Sequence, residues 1–439
     1  MFAVGDSIEA QVEKVVFQGK GLIRHQGWVI FVDDVVPGDF VRVKICEKKK
    51  SYFIGTLEAI ITPQSKLRVS SPRCPYFGRC GGCQLQHMTY EAQCSLKKEW
   101  VNGALSHGIS MPSIIDLIPA SHEWQYRRKV TMHFEWHKTG ANAGVYTIGY
   151  VARDARTLLD VKVCPIFVHE NDPIIADVRA FLSSIEGYPH LKGNVSILKT
   201  DGKNGQQQFL LRFLFEPHLP DYLKEKNRAE LHLPDSWQTV WFESPPESVR
   251  IGEDETVVDA MGLKTFISPH IFLQNFPEES AKLYDYVVSL IPPHARVLDL
   301  YCGSGLLTQL IAKRAEFVLG IELNRKAIEF AKKSAALNHC NNVQFIAAAA
   351  EEVLKKAYEK SAFDVCVLNP PRVGLSEEVV QIISEKKPKE LVYISCYPST
   401  LARDIQRLQQ HQYQVTRGQS YDMFPQTTHM ETVVCLQPY

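Results

Sequence analysis

Apolar and polar residues alternate with period two over residues 7–16, 28–32, 40–44 and 54–61, and Gly19, Gly21, Gly27 and the Pro37-Gly38-Asp39 turn signal separate the runs. Successive side chains of a strand point to opposite faces, so this pattern predicts a small antiparallel β module over residues 1–62, closed as an OB-like barrel. Lys48, Lys49 and Lys50 give it a basic tip, the usual look of a solvated hairpin. From 66 to 262 the pattern is mixed. Helical apolar spacing at 90–105 is followed by strand-like runs at 129–136, 146–150, 194–199 and 208–215, which predicts an α+β domain. From 263 to 439, buried-strand runs at 297–301, 317–321, 343–347, 365–368 and 391–395 alternate with helical stretches, notably 325–337 and 400–410. That βα alternation predicts an open, mostly parallel, Rossmann-like sheet, with two further strands near 413–415 and 432–436. Ligands of such sheets bind outside the carboxyl ends of the strands, which directs attention to the residues that follow each one.

Length and composition adjust this picture only a little. At 439 residues the chain exceeds one ordinary core, in keeping with a multidomain α/β protein. A net charge of zero gives no global signal for nucleic acid. The start lacks the apolar centre of a signal peptide and no run reaches membrane-spanning length, so a cytoplasmic, monomeric protein with no membrane partner is expected. In that compartment the eleven cysteines stay reduced, and clustered ones are more often metal ligands or catalytic than paired.

The first strand of the third region runs into Asp299-Leu300-Tyr301-Cys302-Gly303-Ser304-Gly305, a turn whose glycines let backbone approach a ligand. The second ends at Glu322, where a carboxylate can accept from ribose hydroxyls, and the fourth ends at Asn369-Pro370-Pro371-Arg372. Each could be a plain strand-to-helix turn. Together, on one sheet edge, they indicate a nucleoside cofactor. S-adenosyl-L-methionine is preferred to a nicotinamide because the later loops carry methyl-transfer chemistry. The fifth strand ends at Ser395-Cys396-Tyr397-Pro398, and Ser399 or Thr400 is expected to cap the helix that follows, a setting that favours a thiolate. Glu431 stands at the mouth of the last strand, and His429 beside it reads as a structural hydrogen bonder. A buried thiol and an exposed strand-end carboxylate are the bland alternatives. As a pair, the two fit methylation of uracil carbon 5: thiolate addition at carbon 6 makes carbon 5 nucleophilic, and a base then removes its proton.

Three more thiols fall in one loop, Cys74-x5-Cys80-Gly81-Gly82-Cys83, and Cys164 can complete a set of four. Such a set holds zinc or an iron–sulfur cluster, and spacing leaves both open. Arg127, Arg128 and Lys129 follow Trp124 and Tyr126, and Arg68, Arg73 and Arg79 flank the cysteine loop. Such clusters suit phosphates and splayed bases, or equally a solvated face.

At these residues the chain resembles the RNA uracil-C5 methyltransferases, specifically their iron–sulfur-containing ribosomal RNA branch, over nearly its whole length. The resemblance implies a TRAM domain at residues 1–62 and a central domain at 66–262 that holds a [4Fe–4S] cluster on Cys74, Cys80, Cys83 and Cys164. It implies a class I methyltransferase domain at 263–439. It makes Cys396 the nucleophile and Glu431 the base, and maps S-adenosyl-L-methionine contacts to Gln274, Tyr301, Gly303, Glu322 and Asn369. Four positions depart from the family pattern. Asn369 stands for Asp, Tyr397 for Asn, Phe276 for the last Asn of Phe-x-Gln-x-Asn, and Ala349 for a cofactor-binding residue. The implied substrate is a uridine of 23S rRNA, with tRNA as the alternative. Asn369-Pro370-Pro371 keeps open an adenine or guanine amino-methyltransferase, and the substituted cofactor positions a non-catalytic RNA-binding assembly protein.

Overall fold

The computed structural model describes residues 2–439 apart from 65, 107, 138–143, 169–171, 186–190, 202–205 and 254. In the N-terminal sheet the strands Ser7–Gln11, Phe40–Lys48, Tyr52–Thr62, Trp28–Val32, Lys20–His25 and Lys14–Val16 lie side by side in that order. The run expected over 7–16 divides because it changes partner: Val12 N–H donates to Asp39 O, and Glu13 N–H to Leu22 O. Lys20–His25 is a strand where the sequence suggested a break. Gly21 is there for room, since a Cβ would lie 2.1 Å from a Val35 methyl.

The middle of the chain forms a seven-stranded sheet from Leu158–Asp160 at one edge to Glu247–Ile251 at the other. The helix Ile174–Ser184 packs on it through Phe181, which meets Phe213, Trp237 and Phe242. A hairpin of Thr256–Ala260 and Leu263–Ile267 then leads into the third region.

There, eight strands lie in the order Val343–Ala347, Phe317–Glu322, Arg296–Leu300, Val365–Leu368, Glu390–Ser395, Glu431–Pro438, Tyr413–Tyr421 and Leu117–Ile118. The first five are mutually parallel, and Glu431–Pro438 runs antiparallel to both its neighbours. Order reverses between Arg296–Leu300 and Val365–Leu368, so the carboxyl ends of these strands open a crevice.

Two pieces from outside the third region complete this layer. The two-residue strand Leu117–Ile118 extends the sheet. The helix Tyr90–Leu105, capped by Thr89, buries Leu96, Trp100, Val101 and Leu105 in one core with Leu401, Ile405 and Leu408 of the helix Pro398–Gln410. Val15 and Val36 of the N-terminal sheet enter the same core, and Trp100 Nε1–H donates to Val15 O at 2.8 Å. Lys97 and Asp422, both fully buried, pair at 2.7 Å, and Lys97 Nζ also donates to Phe424 O. The fold thus braces the loop before Glu431 from behind. Among the described residues no helix is long and apolar enough to cross a membrane.

Candidate active site

A cavity of about 370 Å³ opens at the carboxyl edge where strand order reverses, and Gln274, Tyr301, Gly303 and Asn369 all line it. Tyr301 leaves the first strand with φ 63°, a left-handed conformation that turns the chain sharply across the cavity mouth. A Cβ on Gly303 would meet nothing within 4 Å, so this backbone is bare toward the cavity. Glu322 does not line the cavity wall. It instead fixes that wall: Oε2 accepts from Gly303 N–H at 3.2 Å and Oε1 from Asn324 N–H at 2.8 Å.

Asp299 was quoted from the sequence only as part of the turn. It lines the cavity fully buried, accepts from Thr308 Oγ1–H at 2.6 Å, and burial pushes its carboxyl up to about 7. Asp299 Oδ1 and Gln274 Oε1 are buried without a partner. Two orphaned acceptors beside bare backbone fit a polar, cationic ligand with hydroxyl and ammonium donors. Phe276, in place of the expected Asn, is a core residue stacked on Tyr126 with centroids 4.9 Å apart. Ala349 precedes the helix Ala350–Lys360 and has only a methyl group, with no polar atom to offer a cofactor.

The proposed nucleophile and base face each other across a strand pair. Ser395 is paired with Thr432 in an antiparallel ladder, so the next residue on one strand, Cys396, stands beside the preceding residue on the other, Glu431. Burial raises the Cys396 thiol to about 11, reinforced by the Glu431 carboxylate and opposed by a hydrogen bond and positive charge from Arg372. Burial also raises Glu431 to about 8, again against Arg372. Arg372 further donates to His429 Nε2 at 3.3 Å. Since guanidinium only donates, this imidazole is neutral with its proton on Nδ1, consistent with burial lowering it to about 4. Sequence reasoning placed Arg372 in a loop but gave it no role.

Neither Ser399 nor Thr400 caps the next helix as expected. It begins at Pro398 without a side-chain cap, and Thr400 Oγ1–H donates back to Tyr397 O. Tyr397 is held from the far side. Its ring meets Phe17 edge-on, centroids 4.9 Å apart, and its hydroxyl accepts from Gln18 Nε2 at 3.2 Å.

Cys74, Cys80, Cys83 and Cys164 line a second, smaller cavity of about 90 Å³ with Tyr76, Tyr150 and Arg127. All four thiols are free. Burial pushes Cys83 up to about 12 and Cys164 up to about 11, and charge on Cys74 or Cys80 would raise both further. Among the described residues no group of three or more His, Cys, Asp or Glu side chains is arranged to hold a metal ion.

The basic residues separate into two kinds. Arg68 pairs with fully buried Asp39 at 2.5 Å and also donates to Asp34 O, a structural role. Arg128 Nε donates to Lys199 O, Lys129 Nζ to Pro269 O and Ile271 O, and Tyr126 OH to Pro425 O. Lys129 and Tyr126 thus tie the central region to the third, and Arg128 ties neighbouring segments of the central sheet. Arg73 over Trp124 and Arg79 over Tyr76 keep cation–aromatic pairs at 5.2 and 6.0 Å beside the cysteine loop.

Residues 266–438 match the family model described as tRNA (Uracil-5-)-methyltransferase. Over 446 residues the chain is 35% identical to an uncharacterized RNA methyltransferase of Protochlamydia amoebophila, covering 100% of this chain and 99% of that one. It is 32% identical to another from Halalkalibacterium halodurans, covering 98% and 97%. Among solved structures, it superposes on the Pyrococcus abyssi tRNA (uracil-54, C5)-methyltransferase in complex with S-adenosyl-L-homocysteine. The TM-score is 0.75 at 22% identity, covering 98% of this chain and 100% of that one, a likeness of fold.

Proposed function

The chain belongs to the RNA (uracil-5-)-methyltransferase family of S-adenosyl-L-methionine-dependent enzymes, and from that premise we propose that it methylates one uridine through a covalent Cys396 adduct. The observation that carries this reading is the adjacency of Cys396 and Glu431 across the strand pair, with Arg372 acting on both. Methylation of a nitrogen or oxygen would need no thiol beside a carboxylate.

Cys396, as thiolate, adds to carbon 6 of the uracil, and the electron pair moves to carbon 5. Gln274, Tyr301, Gly303 and Asn369 would hold S-adenosyl-L-methionine, which would supply an electrophilic methyl group to carbon 5 and leave as S-adenosyl-L-homocysteine once its sulfur–methyl bond breaks. Glu431 then takes the carbon 5 proton, and the pair released expels the Cys396 thiolate. A carboxylate raised by burial is a stronger base than one in water, which suits Glu431 to a carbon-bound proton. Arg372 stabilises the thiolate at the start and again on elimination.

Three further assignments belong to this reading. Residues 1–62 act as a TRAM-type RNA-binding module. The thiols Cys74, Cys80, Cys83 and Cys164 hold a [4Fe–4S] cluster, with zinc the alternative, whose role is to fix the central domain. Four desolvated thiols around one cavity support a metal centre, because a cation is what would keep them ionised there. The substrate is 23S rRNA; the family model's description keeps tRNA as the second candidate.

The test is to map 5-methyluridine in ribosomal and transfer RNA from cells with and without the gene. One 23S site should vanish. Loss of a tRNA site instead would reassign the substrate, and no change in either would refute the reaction. With 5-fluorouridine RNA, the wild type should form a stable adduct that Cys396→Ala does not.

A further inference from the structure

A third cavity, of about 260 Å³, lies where four segments of the chain meet, and neither the cofactor nor the cysteine set uses it. Gln18 and Lys20 come from the turn between Lys14–Val16 and Lys20–His25, Asp33 and Asp34 from the loop after Trp28–Val32, Gln84 from the cysteine loop, and Arg153 from the end of Tyr146–Val151.

Its position ties it to the reaction. Gln18 Nε2 donates to Tyr397, the residue after Cys396. A Cβ on Gly19 would lie 3.2 Å from the Thr428 methyl, and Gln84 N–H donates to Gln426 O, both in the loop that leads to Glu431. The backbone is held in place at a cost: Gln18 at φ 76° and Asp34 at φ 64° are both left-handed, where side-chain-bearing residues are uncommon.

Its charges cancel in pairs. Lys20 is paired with Asp33, and Arg153 with Asp34 Oδ2 at 2.7 Å. Gln84 Nε2 donates to Gly81 O at 2.9 Å. These contacts fix which way Asp34 and Gln84 point. Beside these pairs, Asp34 Oδ1 and Gln84 Oε1 are two buried acceptors without a partner. A phosphate brings only acceptors, and both cations here already hold a carboxylate, so it is a poor match. Two orphaned acceptors call for a ligand with at least two N–H groups.

We infer that this cavity takes the nucleobase next to the target uridine, and that the base carries an exocyclic amino group whose N–H donors meet Asp34 and Gln84. This deepens the methyltransferase reading and rests on it. A uridine brought to Cys396 must leave its stack, and its neighbour then loses a stacking partner and needs a seat of its own. The cavity offers that seat beside Gln18, which is bonded to Tyr397, with acceptors that select adenine, cytosine or guanine over uracil, which has one N–H.

The test uses the full-length metal-loaded enzyme and a stem-loop transcript around the mapped uridine. Gln84→Leu should raise KM for this RNA at least tenfold, leave kcat within about threefold, and leave S-adenosyl-L-homocysteine affinity unchanged. For the wild type, replacing the flanking bases with uracil should raise KM to a similar degree, and the two changes together should do no more than either alone. An unchanged KM in Gln84→Leu, or full additivity, would overturn the inference. Should Gln84→Leu lose cofactor binding, the base replacements with wild type decide alone: no rise in KM overturns it. If the wild type makes no 5-methyluridine, the reaction falls. Gel-shift affinity of Gln84→Leu against wild type then judges the cavity separately.

Discussion

Phe17 and Tyr397 meet edge to face with ring centroids 4.9 Å apart, which joins the N-terminal sheet directly to the residue after the proposed nucleophile. Phe17 is itself set edge-on against Trp100, whose indole N–H is bonded to Val15 O. The helix Tyr90–Leu105, the turn at 17–19 and the Cys396 loop therefore form one packed unit. Tyr397, where the family pattern has Asn, has a physical explanation: the aromatic ring is the piece on which the N-terminal sheet docks.

Loosening that contact should act on the reaction more than on cofactor binding. Phe17→Ala removes an aromatic pair of about 0.5–1.5 kcal/mol plus its burial, and kcat should fall about tenfold while S-adenosyl-L-homocysteine affinity stays within about twofold. Single-turnover adduct formation with 5-fluorouridine RNA reads the effect, and Phe17→Tyr, which keeps the ring, should restore most of it. An unchanged adduct rate in Phe17→Ala would remove the N-terminal sheet from any part in positioning Cys396.

Arg372 is the cation that Cys396 and Glu431 share. Arg372→Lys keeps the charge but loses the rigid fork that reaches both Cys396 and His429. The expected loss is about 10²-fold in kcat, on the order of 2.7 kcal/mol in the barrier, with KM for S-adenosyl-L-methionine little changed. Steady-state kinetics varying each substrate checks the division.

How much of this was legible in the chain depends on whether a role is local. Cys396 and Glu431 could be read because both sit at strand ends, and strand ends on one sheet edge converge. Tyr301, Gly303 and Asn369 follow for the same reason. Arg372 was quoted without a function, since what it touches lies on two other segments. The run Arg127-Arg128-Lys129 looked like a phosphate site, yet Arg128 and Lys129 spend their donors on carbonyls of distant segments, which no linear pattern records. Gly21 reads as a break because spacing shows a missing side chain but not the Val35 methyl that forbids one. Glu322 is legible as a strand-end carboxylate, but its two hydrogen bonds to backbone are not.

Lys97 and Asp422 make a buried pair with no solvent exposure on either side chain. Removing one partner leaves a buried charge, so Lys97→Met should destabilise by roughly 3–5 kcal/mol. Replacing both, as Lys97→Met with Asp422→Leu, should recover much of that, because desolvation of both ions is then avoided. Tm by calorimetry separates the cases. Equal Tm for the single variant and the wild type would show that the pair does not brace the loop before Glu431.

The cysteine cavity is separate from the cofactor cavity, with no lining residue in common. Cys164→Ser should therefore reduce bound iron well below the wild-type content and lower Tm, while S-adenosyl-L-homocysteine affinity stays within about threefold. Metal analysis, the visible spectrum and calorimetric titration report these three quantities. Zinc in place of iron in protein purified without air would settle the metal in favour of the alternative.

The pH profile follows from Glu431. Its carboxyl is raised to about 8 by burial, so below that value the group holds a proton, and a protonated carboxyl cannot take one from carbon 5. Cys396, raised to about 11, is also protonated there, and only its thiolate adds to carbon 6. Both requirements push the same way: kcat should climb at least tenfold per pH unit on approaching pH 8 from below, and keep rising more gently above it. In Glu431→Gln the base is absent while the thiol remains, so RNA should accumulate as a methylated adduct on Cys396 without turnover. Its rate of adduct formation should retain only the dependence due to the thiol. The profile is measured as initial rate against pH with RNA and S-adenosyl-L-methionine both saturating, and adduct is followed by denaturing electrophoresis. A rate that is flat between pH 6 and 8 would mean that neither group titrates in the step that limits kcat, and Glu431 would then lose its place as the base.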